Sequence, residues 1–241
     1  LVINGQTVAF GQYADYPTYK VYDTIDVTKF LTGNDEIGIL VWYYGVDTQN
    51  YIKDKAGAIF EVFINDECVE YSGRHILSRL SPYYVQHRNK KISSQLGLTF
   101  TYLNEPEEKR NFSPSVEIEK SMNLNKRPND KLVLKNRVPV KTVLLSDGSY
   151  LVDMDKETCG FIDIEVESDC VQNIVIAYGE FLDNGKVLRL INTMDFSVGC
   201  KLKRGENKYV NYFRRLSGRY LQVFAEKPIK INYVGIRPVE Y

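Results

Sequence analysis

The chain is poor in the residues that most often carry chemistry. Its 241 residues include two histidines, one tryptophan, three methionines and four cysteines. The histidines, His75 and His87, share a polar, basic stretch, where a solvated or structural role is the ordinary reading and a zinc or catalytic pair the alternative. No two of Cys68, Cys159, Cys170 and Cys200 lie within metal-motif spacing, which leaves a zinc knuckle without support. Free buried thiols are the simple expectation, with a Cys159–Cys170 bridge across a hairpin as the other option. There is no Gly-x-Ser-x-Gly elbow, phosphate loop or dinucleotide fingerprint. Net charge is also missing: 31 Lys plus Arg balance 31 Asp plus Glu. Nucleic-acid binding needs clustered cations, and anionic membranes attract them, so neither partner is expected. The longest apolar run, around residues 37–44, is far short of the about 20 residues of a membrane-spanning helix.

What is present points to β structure. Eighteen Tyr and eleven Phe favour half-buried pleated surfaces. The hydrophobic fraction of 44% is globular, and the length suits one large or two ordinary domains. Asn4-Gly5 suits a tight hairpin turn. Asp26-Val-Thr-Lys-Phe-Leu reads as one helical turn, with Asp26 accepting from its free N–H groups. Residues 36–44 form the strongest strand and are apolar on both faces, so a central position is expected. Residues 58–65, turning at Asn65-Asp66 into residues 67–71, and residues 96–103 complete a first module. Leu1 already reads as the inside of a strand. An earlier strand is therefore expected before it, leaving an open edge there or one covered by another chain.

Residues 104–114 and 123–130 are charged and punctuated by proline, as linkers are. A second module follows, with strands around 140–145, 150–154, 160–167, 171–178, 209–213, 220–225 and 229–237. Many short strands with Gly, Asn and Asp turns indicate sandwiches or jelly rolls. The expected fold is all-β: two jelly-roll-like antiparallel β-sandwich domains over residues 1–105 and 132–241, joined by a linker at 106–131.

Candidate sites are few. Asp163, Glu165 and Glu167 alternate along one strand and read as a solvated face rather than catalytic carboxylates. Asp153, Asp155 and Glu157 have calcium-loop spacing but lack the EF-hand glycine and terminal Glu, so a charged turn is the simpler reading. No metal or cofactor is expected. Glu180 and Arg219, each at a strand end, read as a structural ion pair or as a contact with another domain. Aromatic side chains are the better candidates, because sugar rings present apolar C–H faces that stack on them. Trp42, Tyr43 and Tyr44 end a strand and lead through Gly45 to Tyr51, with Asp47, Gln49 and Asn50 as polar neighbours. Packing of Trp42 and Tyr44 into the core is the competing reading. Tyr83-Tyr84 is a second, weaker candidate.

Two ordered sets of residues resemble a known family. Leu1-Val-Ile-Asn-Gly, Tyr22-Asp-Thr-Ile-Asp-Val-Thr, Gly33-Asn-Asp-Glu-Ile-Gly and Trp42-Tyr-Tyr-Gly are similar to the N-terminal β-sandwich of bacterial α-L-rhamnosidases, with Val41 where glycine is usual. Gly160-Phe-Ile-Asp-Ile, Tyr178-Gly-Glu with Asp183-Asn-Gly, and Gly218-Arg-Tyr-Leu-Gln-Val resemble that family's next sandwich, with Ser217-Gly218 in place of the usual aromatic before Arg219. The family's catalytic carboxylates lie in a following helical barrel, so no catalytic residue carries over. The resemblance implies an accessory portion of a glycoside hydrolase, inactive by itself, that supports the catalytic barrel of the same polypeptide. It also implies a context of rhamnose-containing glycans, and self-association through an uncovered interdomain surface is expected. A free-standing carbohydrate-binding protein and a purely structural interaction module are the rival readings. The sequence does not separate a cytoplasmic from a secreted bacterial location.

Overall fold

A computed structural model describes residues 1–11, 18–86, 89–106, 110–118 and 122–241. The chain is all-β. Among the described residues the helical content is a single 3-10 turn, Thr28–Phe30, where the Asp26 carboxylate accepts the Thr28 N–H at 3.0 Å. Two compact units arise. The first comprises Leu1–Ser81 and Lys109–Asn129, and the second Pro82–Glu108 and Asp130–Tyr241.

These units are cut elsewhere than the expected 1–105 and 132–241. Residues 82–108 join the second unit because Thr101–Leu103 runs parallel to Cys200 and its neighbours, with Thr101 opposite Gly199 and Leu103 opposite Lys201. Residues 109–129 return to the first unit instead of bridging as a linker. Leu124–Lys126 pairs with Lys20–Tyr22, and Ser113–Pro114 with Leu77–Ser78. A ladder partner far away in sequence overrides the local linker signal.

The second unit is organised by two long strands, Tyr150–Ser168 and Gly205–Ala225, paired antiparallel along most of their length. Each joins two of the segments expected as separate strands. Register shifts at Asp153/Thr158 and Phe161/Asp163 divide the pair into halves with different outer neighbours. The half near Tyr150 pairs outward with Lys141–Leu144, and its partner half with Gln172–Gly179, then Ser197–Leu202 and Thr101–Leu103. The half near Ser168 pairs with Lys230–Glu240, which in turn holds Val133–Leu134. Bulges that let strands pass from one layer to the other are how sandwich corners form. The inward side chains build one apolar core, with Val152, Phe161, Ile162, Ile164, Ile174 and Ile176 almost fully buried.

The first unit is a set of small sheets. Asn4-Gly5 adopts positive φ at both positions, 50° and 78°, and folds Gln6–Thr7 back onto Val2–Ile3. Val2–Ile3 is not the expected open edge: Ile37–Gly38 covers its other side. The Asn4 side chain locks that pairing, donating to Asp35 at 2.6 Å and accepting the Glu36 N–H at 2.9 Å. The open edges lie instead at Gln6–Thr7 and Ile37–Gly38, for which no further partner occurs among the described residues.

The expected central strand at 36–44 is corrected here. Only Ile37–Gly38 is in a ladder, and Ile37, Ile39, Leu40, Val41 and Tyr43 are 36 to 44% exposed. Apolarity on both faces prescribes cover on both faces, but burial requires neighbours, and the described residues of this unit supply a strand on one edge only.

Candidate functional site

The aromatic segment leaves the Ile37–Gly38 strand and closes on itself through a turn. Thr48 N–H donates to the Tyr51 carbonyl at 2.9 Å, and the Thr48 hydroxyl accepts the Asn50 N–H at 3.3 Å. Asp47 accepts the Lys53 N–H at 2.6 Å, fixing the far side of the loop. Gly45 sits at φ 71°, and a Cβ there would lie 3.4 Å from the Tyr43 ring, so both conformation and space favour glycine.

This geometry brings three of the four expected aromatics into one cluster. Trp42 meets Tyr44 edge-on at 5.2 Å between centroids, and Tyr44 meets Tyr51 at 4.9 Å with a 50° tilt. Such offset and edge contacts are the favourable aromatic arrangements. All three are half-buried, while Tyr43 is exposed. Burial raises the Tyr51 phenol above its ordinary pKa, opposed by a hydrogen bond with the Tyr44 backbone. The hydroxyl therefore stays protonated at neutral pH and is available as a neutral donor. The cluster offers apolar ring surface beside amide and hydroxyl groups, the chemistry that suits an uncharged polyol.

The second candidate pair separates. Tyr83 is exposed, but Tyr84 packs edge-on against Tyr102 and Phe213 at 5.4 and 5.8 Å, and its hydroxyl meets that of Tyr209 at 3.0 Å. Tyr102 stacks on Tyr209 at 3.7 Å. Desolvation pushes the Tyr102 phenol up to about 12. This group fastens residues 82–104 to the sheet of the second unit. Its members are widely separated in sequence, so no local pattern announces it.

The acidic candidates are committed elsewhere. Asp163 is not on a solvated face: it is 1% exposed, and Arg137 grips both its oxygens at 2.8 and 2.9 Å while reaching Glu165. Glu167 does fit the solvated reading, bound to Lys230 and Asn232 at the surface. Asp153 takes a two-pronged bond from Arg219, at 2.9 and 3.0 Å, which holds its carboxyl below the usual range. Arg219 thus pairs with Asp153 rather than Glu180. Glu157 accepts from Ser217, so the calcium-like spacing of Asp153, Asp155 and Glu157 does not converge. No group of three or more metal-ligating side chains occurs among the described residues. His75 contacts Glu70 at 2.6 Å, and His87 lies outside the described residues. No pair of cysteines is bridged. Cys200 alone is buried, its thiol pushed up to about 12, while Cys68 and Cys159 are exposed. No helix among the described residues is long and apolar enough to cross a membrane.

No protein-family model matches the chain, and no curated protein matches it in sequence. Solved structures do. An α-L-rhamnosidase from Dictyoglumus thermophilum superposes over 99% of this chain with a TM-score of 0.73 at 16% identity. The fold is one found within α-L-rhamnosidases. The enzyme from Streptomyces avermitilis, solved with L-rhamnose, gives 0.73 over 99% at 18% identity, and that from Aspergillus terreus 0.67 over 99% at 18%. The chain spans 29, 25 and 31% of those three proteins, in the order Dictyoglumus, Streptomyces, Aspergillus. The family that the ordered motifs resemble is thus the one whose solved members share this rhamnosidase-type fold. Identity at this level speaks for the fold alone.

Proposed function

We propose that the chain is a non-catalytic accessory portion of an α-L-rhamnosidase-like glycoside hydrolase, with jelly-roll-type sandwiches that support a catalytic barrel. The observation that carries this reading is the match over 99% of the chain to less than a third of each of three solved rhamnosidases. The rings of Trp42, Tyr43, Tyr44 and Tyr51 are assigned to carbohydrate contact. The clustering of Trp42, Tyr44 and Tyr51 supports that assignment, with the exposed Tyr43 beside them in sequence. Trp42 is the only tryptophan, so its fluorescence reports on this loop specifically. Titration of the 241-residue chain with rhamnose and rhamnosylated oligosaccharides should give saturable quenching, lost in Tyr51→Ala, with no turnover of nitrophenyl rhamnoside. Turnover would refute the non-catalytic role. Absence of quenching would remove the sugar contact and leave the supporting role.

The interaction-module reading is favoured by a separate observation: the first unit exposes most of its large apolar side chains. It predicts partner binding without sugar affinity.

A further inference from the structure

The hairpin of Glu61–Ile64 and Glu67–Tyr71 turns at Asn65 and Asp66, both at positive φ, and pairs with no third strand among the described residues. Both outer edges of this ribbon therefore lack a ladder partner among the described residues. Its side chains are equally bare. Phe63, Ile64, Val69 and Tyr71 are each half exposed or more, and the adjacent positions 63 and 64 put apolar groups on both faces. A lone two-stranded ribbon is marginal in water, and an open apolar edge is a template for another strand.

Charge narrows the choice of that strand. Residues 58–73 contain Glu61, Asp66, Glu67 and Glu70 and no Lys or Arg. Glu70 is engaged by His75, but Glu61, Asp66 and Glu67 form no ion pair with any described residue. Several strand carboxylates of the second unit, by contrast, are closed by a cation. Asp163 and Glu165 share Arg137, Glu167 has Lys230, and Asp195 has Arg189. A second copy of the ribbon is the wrong occupant, because pairing two such ribbons sets like charges across the strands.

We propose that the Glu61–Tyr71 ribbon is a docking edge for a strand of a partner protein that is apolar at its centre and carries Lys or Arg at its rim. Backbone pairing along the edge would supply register, Phe63 and Val69 the apolar contact, and Glu61 and Glu67 the selection for cations.

The test uses the 241-residue chain and two fluorescent nine-residue peptides of alternating Val and Thr, one flanked by Lys and one by Glu. Anisotropy should show the Lys-flanked peptide binding about tenfold more tightly, the worth of two exposed ion pairs. The gap should close in high salt. The double variant Glu61→Lys, Glu67→Lys should reverse the preference while its far-UV circular dichroism stays unchanged, since both side chains are exposed. Equal binding of the two peptides, or no binding of either, would overturn the proposal. So would self-association of the chain that Phe63→Ser abolishes, because the occupant would then be a second copy.

Discussion

The two units share one chain and one composition of alternating strands, yet they hold together by different means. The second buries a continuous apolar core and holds its most buried carboxylates, Asp163 and Asp195, with arginine. In the first, Ile3 is the only hydrophobic side chain among the described residues that is buried, at 2% exposure. Its ordered features are small and scattered: the Asn4-Gly5 turn, the Asp35 carboxylate capping Thr32 and Gly33, short two-stranded pairings such as Leu124–Lys126 with Lys20–Tyr22, and the stacking of Arg79 on Phe112 at 4.2 Å. Local hydrogen bonds and turns contribute about a kcal/mol each, whereas a buried Leu or Ile is worth several. The difference teaches that apolar content alone does not make a core. Strands become a core when long-range ladders stack their apolar faces.

The comparison breaks most visibly at the glycines. A Cβ on Gly160 would sit 1.9 Å from the Arg237 carbonyl oxygen, a backbone atom in a paired strand. Gly160→Val should abolish the cooperative unfolding transition of the second unit in a urea titration. Nothing lies within 4 Å of a Cβ on Gly38 of the first unit, so the same assay applied to Gly38→Ala serves as its counterpart.

Core truncation should follow in size. Ile176 is fully buried, and Ile176→Ala should cost about 3 kcal/mol by chemical denaturation. A cost near zero would mean that the second core is not packed as described.

Acid should act on the second unit through Asp195. Hydrogen bonds from Arg189, and then Ser197, hold its carboxyl below the ordinary range in the folded state, against the desolvation that opposes them. The stabilisation is therefore present above the unfolded value near about pH 4 and is lost as pH falls through the folded one. Asp195→Asn should be less stable than the parent at pH 6, with the gap shrinking towards pH 2 in urea midpoints. A gap independent of pH would assign Asp195 a packing role instead.

The smallest effect belongs to the first unit. Ile39→Ala, at an exposed position, should change stability by less than about 0.5 kcal/mol. A larger loss would show that residues 37–44 are covered in solution.

Much of this was legible from local pattern. The Asn4-Gly5 and Asn65-Asp66 turns, the Asp26-supported helical turn and most strand positions of the second unit follow from φ preferences and period-two alternation. The aromatic cluster was legible in part: Trp42, Tyr44 and Tyr51 were all named, but spacing could not show which of the rings would meet. Asp163 was misread, because alternation places it on the outer side while its partner Arg137 lies 26 residues earlier. The fate of residues 82–104 was equally hidden, since their parallel partner lies almost a hundred residues downstream.

The sequence by itself determined an all-β chain, its turns and the faces of its strands, because these depend on neighbours two to four residues apart. Only the tertiary structure decided which faces are covered, which carboxylates are neutralised and which segments belong to which unit. Those outcomes depend on ladder pairing and burial between residues far apart in the chain, where no local period records the partner.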